Sequence, residues 1–302
     1  MFVSLALAAL AQPIVIPIGK TPPQVERAVA PIEAAGPAFA ARCKEFDDWD
    51  KVGPPVRIHG NTYLVGTCGI SAILVTGSAG HVLIDGGTEQ GAELIAANIR
   101  RLGFKLSDVK YLLHSHEHID HVGGIARLQQ LTGATLVASP TAAKVFATGT
   151  ATPDDPQVGL HPPFPVAQVG RVIRNGETVR VGNLSLTTME TPGHTAGALS
   201  WHWGSCDGGA CRRIVYADSL SPISRDGYRF SDHPALVAAF RSGLQRLAAT
   251  ECDILLTPHP SASDMINRMA GKAPLVNIRA CRDYAASKEK ALDERLATEA
   301  KK

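Results

Sequence analysis

Several things are missing from this sequence. No apolar run reaches the roughly 20 residues of a membrane-spanning helix, so no stable membrane association is expected. No charge of one sign dominates: the formal net charge is +2, which gives no case for a nucleic-acid partner. No C-x-x-C occurs, which argues against a zinc ribbon or a thioredoxin-like motif. No short-period repeat is visible. The apolar opening MFVSLALAALA lacks the basic start that signal peptides usually carry. It does end in the small-x-small pattern Ala9-Leu10-Ala11 before Gln12, so residues 1–11 read as a signal segment and export to the periplasm is expected.

What is present is ample for a globular enzyme. The 302 residues are 45% hydrophobic, enough for one large domain or two small ones. Cys43, Cys68, Cys206, Cys211, Cys252 and Cys281 allow fifteen pairings. Proximity in sequence suggests Cys206–Cys211, with Cys43–Cys68 and Cys252–Cys281 as the remaining pairs. The alternative is six reduced thiols in a cytosolic enzyme; the even count and the exported-looking start weigh against it.

Residues 12–40 are rich in Pro and Ala and read as a loose arm, with a short helix around 25–35. A single domain is expected over 41–302. It opens with short β-rich runs at 57–59, 63–65, 71–75 and 81–84, punctuated by Gly. A helix at about 90–102, a strand at 109–113, a helix to Leu131, a strand at 135–138 and a helix at about 141–147 follow. Residues 149–168 hold five prolines and read as a long irregular loop, either a lid or a surface excursion. A second meander starts at 172–173 and continues through 177–181 and 184–189; strands at 199–203 and 213–216 follow it. A helix at 234–249, a strand at 253–256 and helices from about Ser263 and Leu275 complete the chain, with a frayed polar tail after Lys288. Two sets of strands, each followed by helices, predict an α+β fold: an αββα sandwich of two stacked mixed sheets between outer helix layers.

The eight residues from His114 to His121 (HSHEHIDH) hold four of the eleven histidines. They follow an apolar strand and precede a helical pattern, so they occupy a loop on a rigid frame. In extended backbone, residues two apart point the same way, so His116 and His118 can bind one metal ion together. The following turn swings Asp120 and His121 towards a neighbouring point. Imidazole suits zinc, and a mixed imidazole and carboxylate set suits two zinc ions. His194, in Thr191-Pro192-Gly193-His194-Thr195-Ala196-Gly197, and His259, in Thr257-Pro258-His259-Pro260, each follow a strand in a turn built for close approach. The expected assignment is His116, His118 and His194 to one zinc, and Asp120, His121 and His259 to the other. His114 is expected to hydrogen-bond around this set. His59, His81 and His202 belong to strands, and His161 lies in the proline-rich loop. Ser107-x-x-Lys110 matches a serine β-lactamase nucleophile motif but lacks its companion segments, and reads as coincidence.

H-x-H-x-D-H, with the later histidines, resembles the metallo-β-lactamase superfamily. The stretch from the cluster to Ser221, together with the loop at 259, is similar to subclass B3. That resemblance implies a second zinc bound by Asp, His and His, with no cysteine ligand. It implies that Ser219 and Ser221 face the substrate carboxylate, and its exported members share the three-pair cysteine layout. It further implies hydrolysis of the β-lactam amide of penicillins, cephalosporins and carbapenems by a metal-bound hydroxide oriented by Asp120. A monomer acting on a small molecule is expected. The alternative is a zinc thioesterase or lactonase of the glyoxalase II type, in which an aspartate after the equivalent strand bridges the metals. Asp218 is the residue that separates the two, and a hydrogen bond holding its own turn is the preferred reading. A non-catalytic zinc protein with a closed shell is the remaining alternative.

Overall fold

The computed structural model describes residues 35–301. The expected signal segment, most of the arm and nearly all of the short helix expected at 25–35 lie outside the described residues. Residues 35–40, expected in the arm, instead form the first part of helix α1 (Ala35–Arg42), with Phe39 fully buried.

Strands β1 (Val56–His59), β2 (Thr62–Leu64), β3 (Ile73–Gly77) and β4 (Gly80–Ile84) pair antiparallel. Strands β5 (Val109–Leu113), β6 (Thr135–Ala138) and β7 (Val169–Val172) then add in parallel to make a seven-stranded sheet. Helices α2 (Gly91–Arg101), α3 (Ile119–Val122), α4 (Ile125–Thr132) and α5 (Pro140–Thr148) connect these later strands. The second sheet has five strands: β8 (Thr178–Val181), β9 (Leu184–Glu190), β10 (Leu199–Asp207) and β11 (Ala210–Tyr216) antiparallel, then β12 (Ile254–Leu256) parallel to β11. Helix α6 (Pro234–Ala249) lies between β11 and β12; α7 (Met265–Met269) and α8 (Ala280–Glu299) follow.

Alternation along the strands makes the layers. Val82 and Ile84 of β4, Leu113 of β5, Ile214 and Tyr216 of β11, and Ile254 and Leu256 of β12 share one core between the sheets. Leu83 and Leu112 point the other way, against Ile95 and Ile99 of α2 and Leu128 of α4. Val215 and Leu255 likewise face Phe240, Leu244 and Leu247 of α6 and Leu292 of α8. Because both faces of each sheet are covered, the central strands read as continuous apolar runs. The result is the αββα sandwich that the order of elements predicts.

Two expectations fail here. The segment at 172–173 does not begin the second meander; β7 closes the edge of the first sheet, and the chain changes sheets between β7 and β8. The tail after Lys288 does not fray: α8 continues to Glu299, with Leu292 buried and Glu299 anchored on the backbone of Phe230 and Ser231. Three disulfides, Cys43–Cys68, Cys206–Cys211 and Cys252–Cys281, tie α1 to the loop after β2, β10 to β11, and the start of β12 to α8.

Candidate metal centre

Four post-strand loops meet at one end of the sandwich. The first follows β5: the chain bends at Ser115 and Glu117, His118 is extended, and α3 starts at Ile119 with Asp120 and His121 in its single turn. Asp85, held at φ +66°, accepts from Ser115 N at 2.6 Å, Ser115 Oγ at 2.7 Å and Tyr216 Oη at 2.7 Å. Those bonds fix the first loop to both sheets. The second loop lies between β9 and β10. Gly193 takes φ +150° so close to Phe240 that a Cβ would sit 2.2 Å from its ring, which only glycine permits. The buried Glu117 joins the two loops, accepting from Thr195 Oγ1 at 2.7 Å and from Gly197 N at 2.8 Å. Burial pushes its carboxyl up to about 7. The third and fourth loops carry Ser219 and Ser221 after β11 and His259 after β12.

The sequence-predicted residues fall into two adjoining groups. The rings of His116, His118 and His194 stand 4.9, 4.7 and 4.9 Å apart, with one donor atom from each within 4.8 Å of the others. Beside them, His121 Nε2 lies 3.0 Å from Asp120 Oδ2 and 3.3 Å from His259 Nε2, and His259 Nε2 lies 3.4 Å from the same Asp120 oxygen. Ligands held about 2.0–2.1 Å from a tetrahedral zinc are separated by about 3.3–3.4 Å, so this second triangle has the dimensions of three zinc ligands.

The far side of every imidazole faces an oxygen. His116 Nδ1 lies 2.8 Å from Asp218 Oδ1, and His118 Nε2 lies 3.3 Å from both oxygens of Asp155. His194 Nδ1 is 2.9 Å from the Ser221 carbonyl, His259 Nδ1 is 3.3 Å from the Gly69 carbonyl, and His121 Nδ1 is 3.6 Å from Asp85 Oδ2. For His116, His118, His194 and His259 the oxygen acceptor fixes the N–H on its own side and leaves the other nitrogen with a free lone pair, as metal-binding histidines require, whereas His121 Nδ1 has no hydrogen-bond partner among the described residues. His116 Nε2 is buried with no hydrogen-bond partner among the described residues, a cost that a cation removes. The donor set therefore fits zinc.

Electrostatics agree. Burial, reinforced by neighbouring imidazoles, holds His116 and His194 well below the usual imidazole range, and lowers His259 to about 4. Burial would raise Asp120, but the rings of His121, His116 and His259 hold it well below the carboxylate range. Burial would lower His121 and His118, yet nearby carboxylates outweigh it: Asp120 and Asp85 push His121 up to about 10, and Asp155 and Asp120 raise His118.

Other residues were placed differently from expectation or missed. His114 turns away from the centre: its Nε2 accepts from Ser139 N at 3.1 Å and its ring meets Phe146, so it braces β5 against α5. Asp218 holds His116 much more closely than its own turn, where Leu220 N is 3.4 Å away. Asp155 and Gln157, whose Nε2 is 3.4 Å from His194 Nε2, bring the proline-rich loop onto the centre. Neither belongs to a spaced pattern; only the loop's unusual length pointed to it. His161 stands at the rim, 6.1 Å from His118 and 5.8 Å from Trp49. Ser219 Oγ is buried without a partner among the described residues, and Leu220 between the two serines is held at φ +47°, the kind of strain that gathers at functional sites. Ser107 and Lys110 lie at the opposite end of β5 from the centre.

Comparison with known proteins places this geometry. Residues 65–208 match the family model of the metallo-β-lactamase superfamily. The structure is similar to that of the metallo-β-lactamase MIM-2, at 57% identity and TM-score 0.85, over 88% of this chain and 98% of that one. MIM-1 from Novosphingobium pentaromativorans is 50% identical, at TM-score 0.85, over 87% of this chain and 98% of that one. MEM-A1, a subclass B3 metallo-β-lactamase isolated from a soil metagenome library, is 43% identical, at TM-score 0.80, over 84% and 99%. Among curated sequences, a hydroxyacylglutathione hydrolase of Rhodopseudomonas palustris (strain BisB5) is 34% identical over 44% of this chain, and the match spans 41% of that protein's length. With a subclass B3 enzyme matched along nearly its whole length, the chain belongs to the metallo-β-lactamase superfamily, subclass B3.

Proposed function

We propose that this chain is a zinc-dependent hydrolase that opens the amide bond of β-lactam antibiotics (penicillins, cephalosporins and carbapenems) and so confers resistance to them, using two zinc ions per chain. The observation that carries the reading is the pair of adjoining donor triangles, in which four of the five imidazoles are backed by a hydrogen-bonded oxygen. His116, His118 and His194 would hold one ion; Asp120, His121 and His259 would hold the other. When bound, zinc supplies Lewis acidity and ionises water near neutral pH, with a pKa of about 7 against 15.7 in bulk. The chain does the rest. Asp120 stays ionised and orients the attacking oxygen by accepting a hydrogen bond from it. Glu117 keeps the His194 loop against the 116–121 turn. Ser219, with its free hydroxyl, and Ser221 border the space where the carboxylate of the substrate would lie. The loop 149–168, brought in by Asp155 and Gln157, covers the His118 side and keeps bulk water from the reacting amide.

The thioesterase alternative draws support from the hydroxyacylglutathione hydrolase match. Asp218 speaks against it, because its carboxylate is bonded to the far nitrogen of His116 and is not among the converging donor atoms. The disulfides suit an oxidising, exported location such as the periplasm. Every residue of the centre comes from one chain, which suits a monomer. No helix among the described residues is long and apolar enough to cross a membrane.

The test is turnover of nitrocefin by purified protein, before and after chelation and after zinc is returned, with lactoylglutathione in parallel. Zinc-restored hydrolysis of nitrocefin is expected. Hydrolysis of lactoylglutathione alone would overturn the assignment, and indifference to chelation would overturn the metal centre.

A further inference from the structure

We propose that Lys288, from helix α8, is the positively charged anchor for the substrate carboxylate and sets the preference for anionic substrates; this rests on the β-lactamase reading above. Tyr284 and Lys288 stand four residues apart and so share one face of α8. That face lies along the loop after β11. Tyr284 Oη donates to the carbonyls of Ser219 at 2.8 Å and Asp218 at 3.1 Å, which fixes the loop. Lys288 Nζ donates to Ser221 Oγ at 2.8 Å and lies 4.9 Å from the centre of the Tyr284 ring. It opens into a cavity of about 450 Å³ that His259, Ser221, Gly69 and Trp49 also line.

Three observations assign it a ligand. First, Ser221 has little to offer a carboxylate by itself. Its hydroxyl donates to the Ser219 carbonyl at 3.1 Å while accepting from Lys288, so the donors left over at that position are those of the ammonium. Second, the ammonium forms no ion pair with a carboxylate among the described residues. Asp47, the acid that borders the same cavity, is taken by Lys51 at 2.8 Å and by the backbone of Lys44 at 2.5 Å. Third, the group is partly withdrawn from water, and burial pulls it below the ordinary lysine value although the buried Asp218 carboxylate, which it does not contact, works the other way. A half-buried cation that no carboxylate contacts gains from any anion that enters. The chemistry it recognises is a carboxylate, attached to a molecule whose reacting amide lies over the histidines.

The test compares benzylpenicillin with its methyl ester on zinc-loaded protein, using the wild-type chain and the Lys288→Met, Lys288→Gln and Lys288→Arg variants. Charge removal is expected to raise KM for the free acid about tenfold with kcat altered less than about twofold, since a charge-assisted bond is lost in ground and transition states alike. The ester should show no such rise, and Lys288→Arg should return KM for the acid to within about threefold of wild type. An equal rise for acid and ester would make Lys288 a mere brace for the 219–221 loop and overturn the proposal, as would unchanged KM in both neutral variants. No turnover of either compound by the wild-type chain would overturn the hydrolase reading, and this one with it.

Discussion

Four of the five imidazoles of the centre are controlled from behind. Asp218 behind His116 and Asp155 behind His118 are charged acceptors; the Ser221 and Gly69 carbonyls do the same for His194 and His259. Removing such a support costs metal affinity without removing a ligand. Asp218→Asn is therefore expected to weaken zinc retention by about 10–100-fold, measured by competition with a chromophoric chelator; wild-type retention would refute the role given to Asp218. Asp120→Ala should lower hydrolysis by about 10²-fold or more while far-UV circular dichroism is unchanged; near-normal turnover would remove Asp120 from the mechanism. At this scale the sequence was most informative where spacing carried the signal. HSHEHIDH imposes its own geometry, and His194 and His259 sat in turns of unusual composition. Asp155, Gln157 and Lys288 were illegible because each acts alone, on a partner between 37 and 67 residues away.

Among the elements, α8 departs most from expectation. Its second half is so rich in charge that it reads as a solvated tail, and that charge hides Leu292, which continues the buried stripe of Cys281, Tyr284 and Ala285. The polar residues are also used. Arg295 Nη2 donates to Ser224 Oγ and to the Tyr228 carbonyl, both at 2.8 Å. Glu299 accepts from Phe230 N at 3.0 Å, Ser231 N at 2.8 Å and Arg295 Nε at 2.6 Å. Bonds from side chains to a distant loop backbone leave no periodicity to read. Burial would raise Glu299, but Arg295 and the two backbone N–H groups bring it from 4.5 down to about 2. A carboxyl lowered on folding adds stability above its unfolded value and loses it as pH falls through the folded one. Glu299→Gln should thus melt about 2–4 °C below wild type at pH 6, with the gap closing between about pH 4.5 and 2. A constant gap in melting curves across that window would contradict the carboxylate role. Leu292→Ala should cost about 2–5 kcal/mol in denaturant unfolding, whereas a frayed helix would lose nothing. Most other boundaries were legible to within a few residues, because Gly and Pro mark them. The change of sheet between β7 and β8 was not, since an edge strand and the first strand of a new sheet carry the same alternation.

For the whole molecule, the division of the site between the sheets matters most. His116 to His121 hang from the seven-stranded sheet, and His194 and His259 from the five-stranded one. A metal held by both binds the folded chain and not the unfolded one. Chelation should lower the melting temperature, and free zinc at about 1,000 times its Kd should restore about 4 kcal/mol. A melting curve indifferent to chelator would place the metal outside this centre. The layered architecture itself was legible, because alternating apolar strands followed by amphipathic helices admit few packings. The Cys43–Cys68 bridge carries a redox consequence. It ends one residue before Gly69, whose carbonyl backs His259. A chain whose bridge is reduced is therefore expected to hold His259 more loosely, and weaker zinc retention in the presence of a reductant would report it.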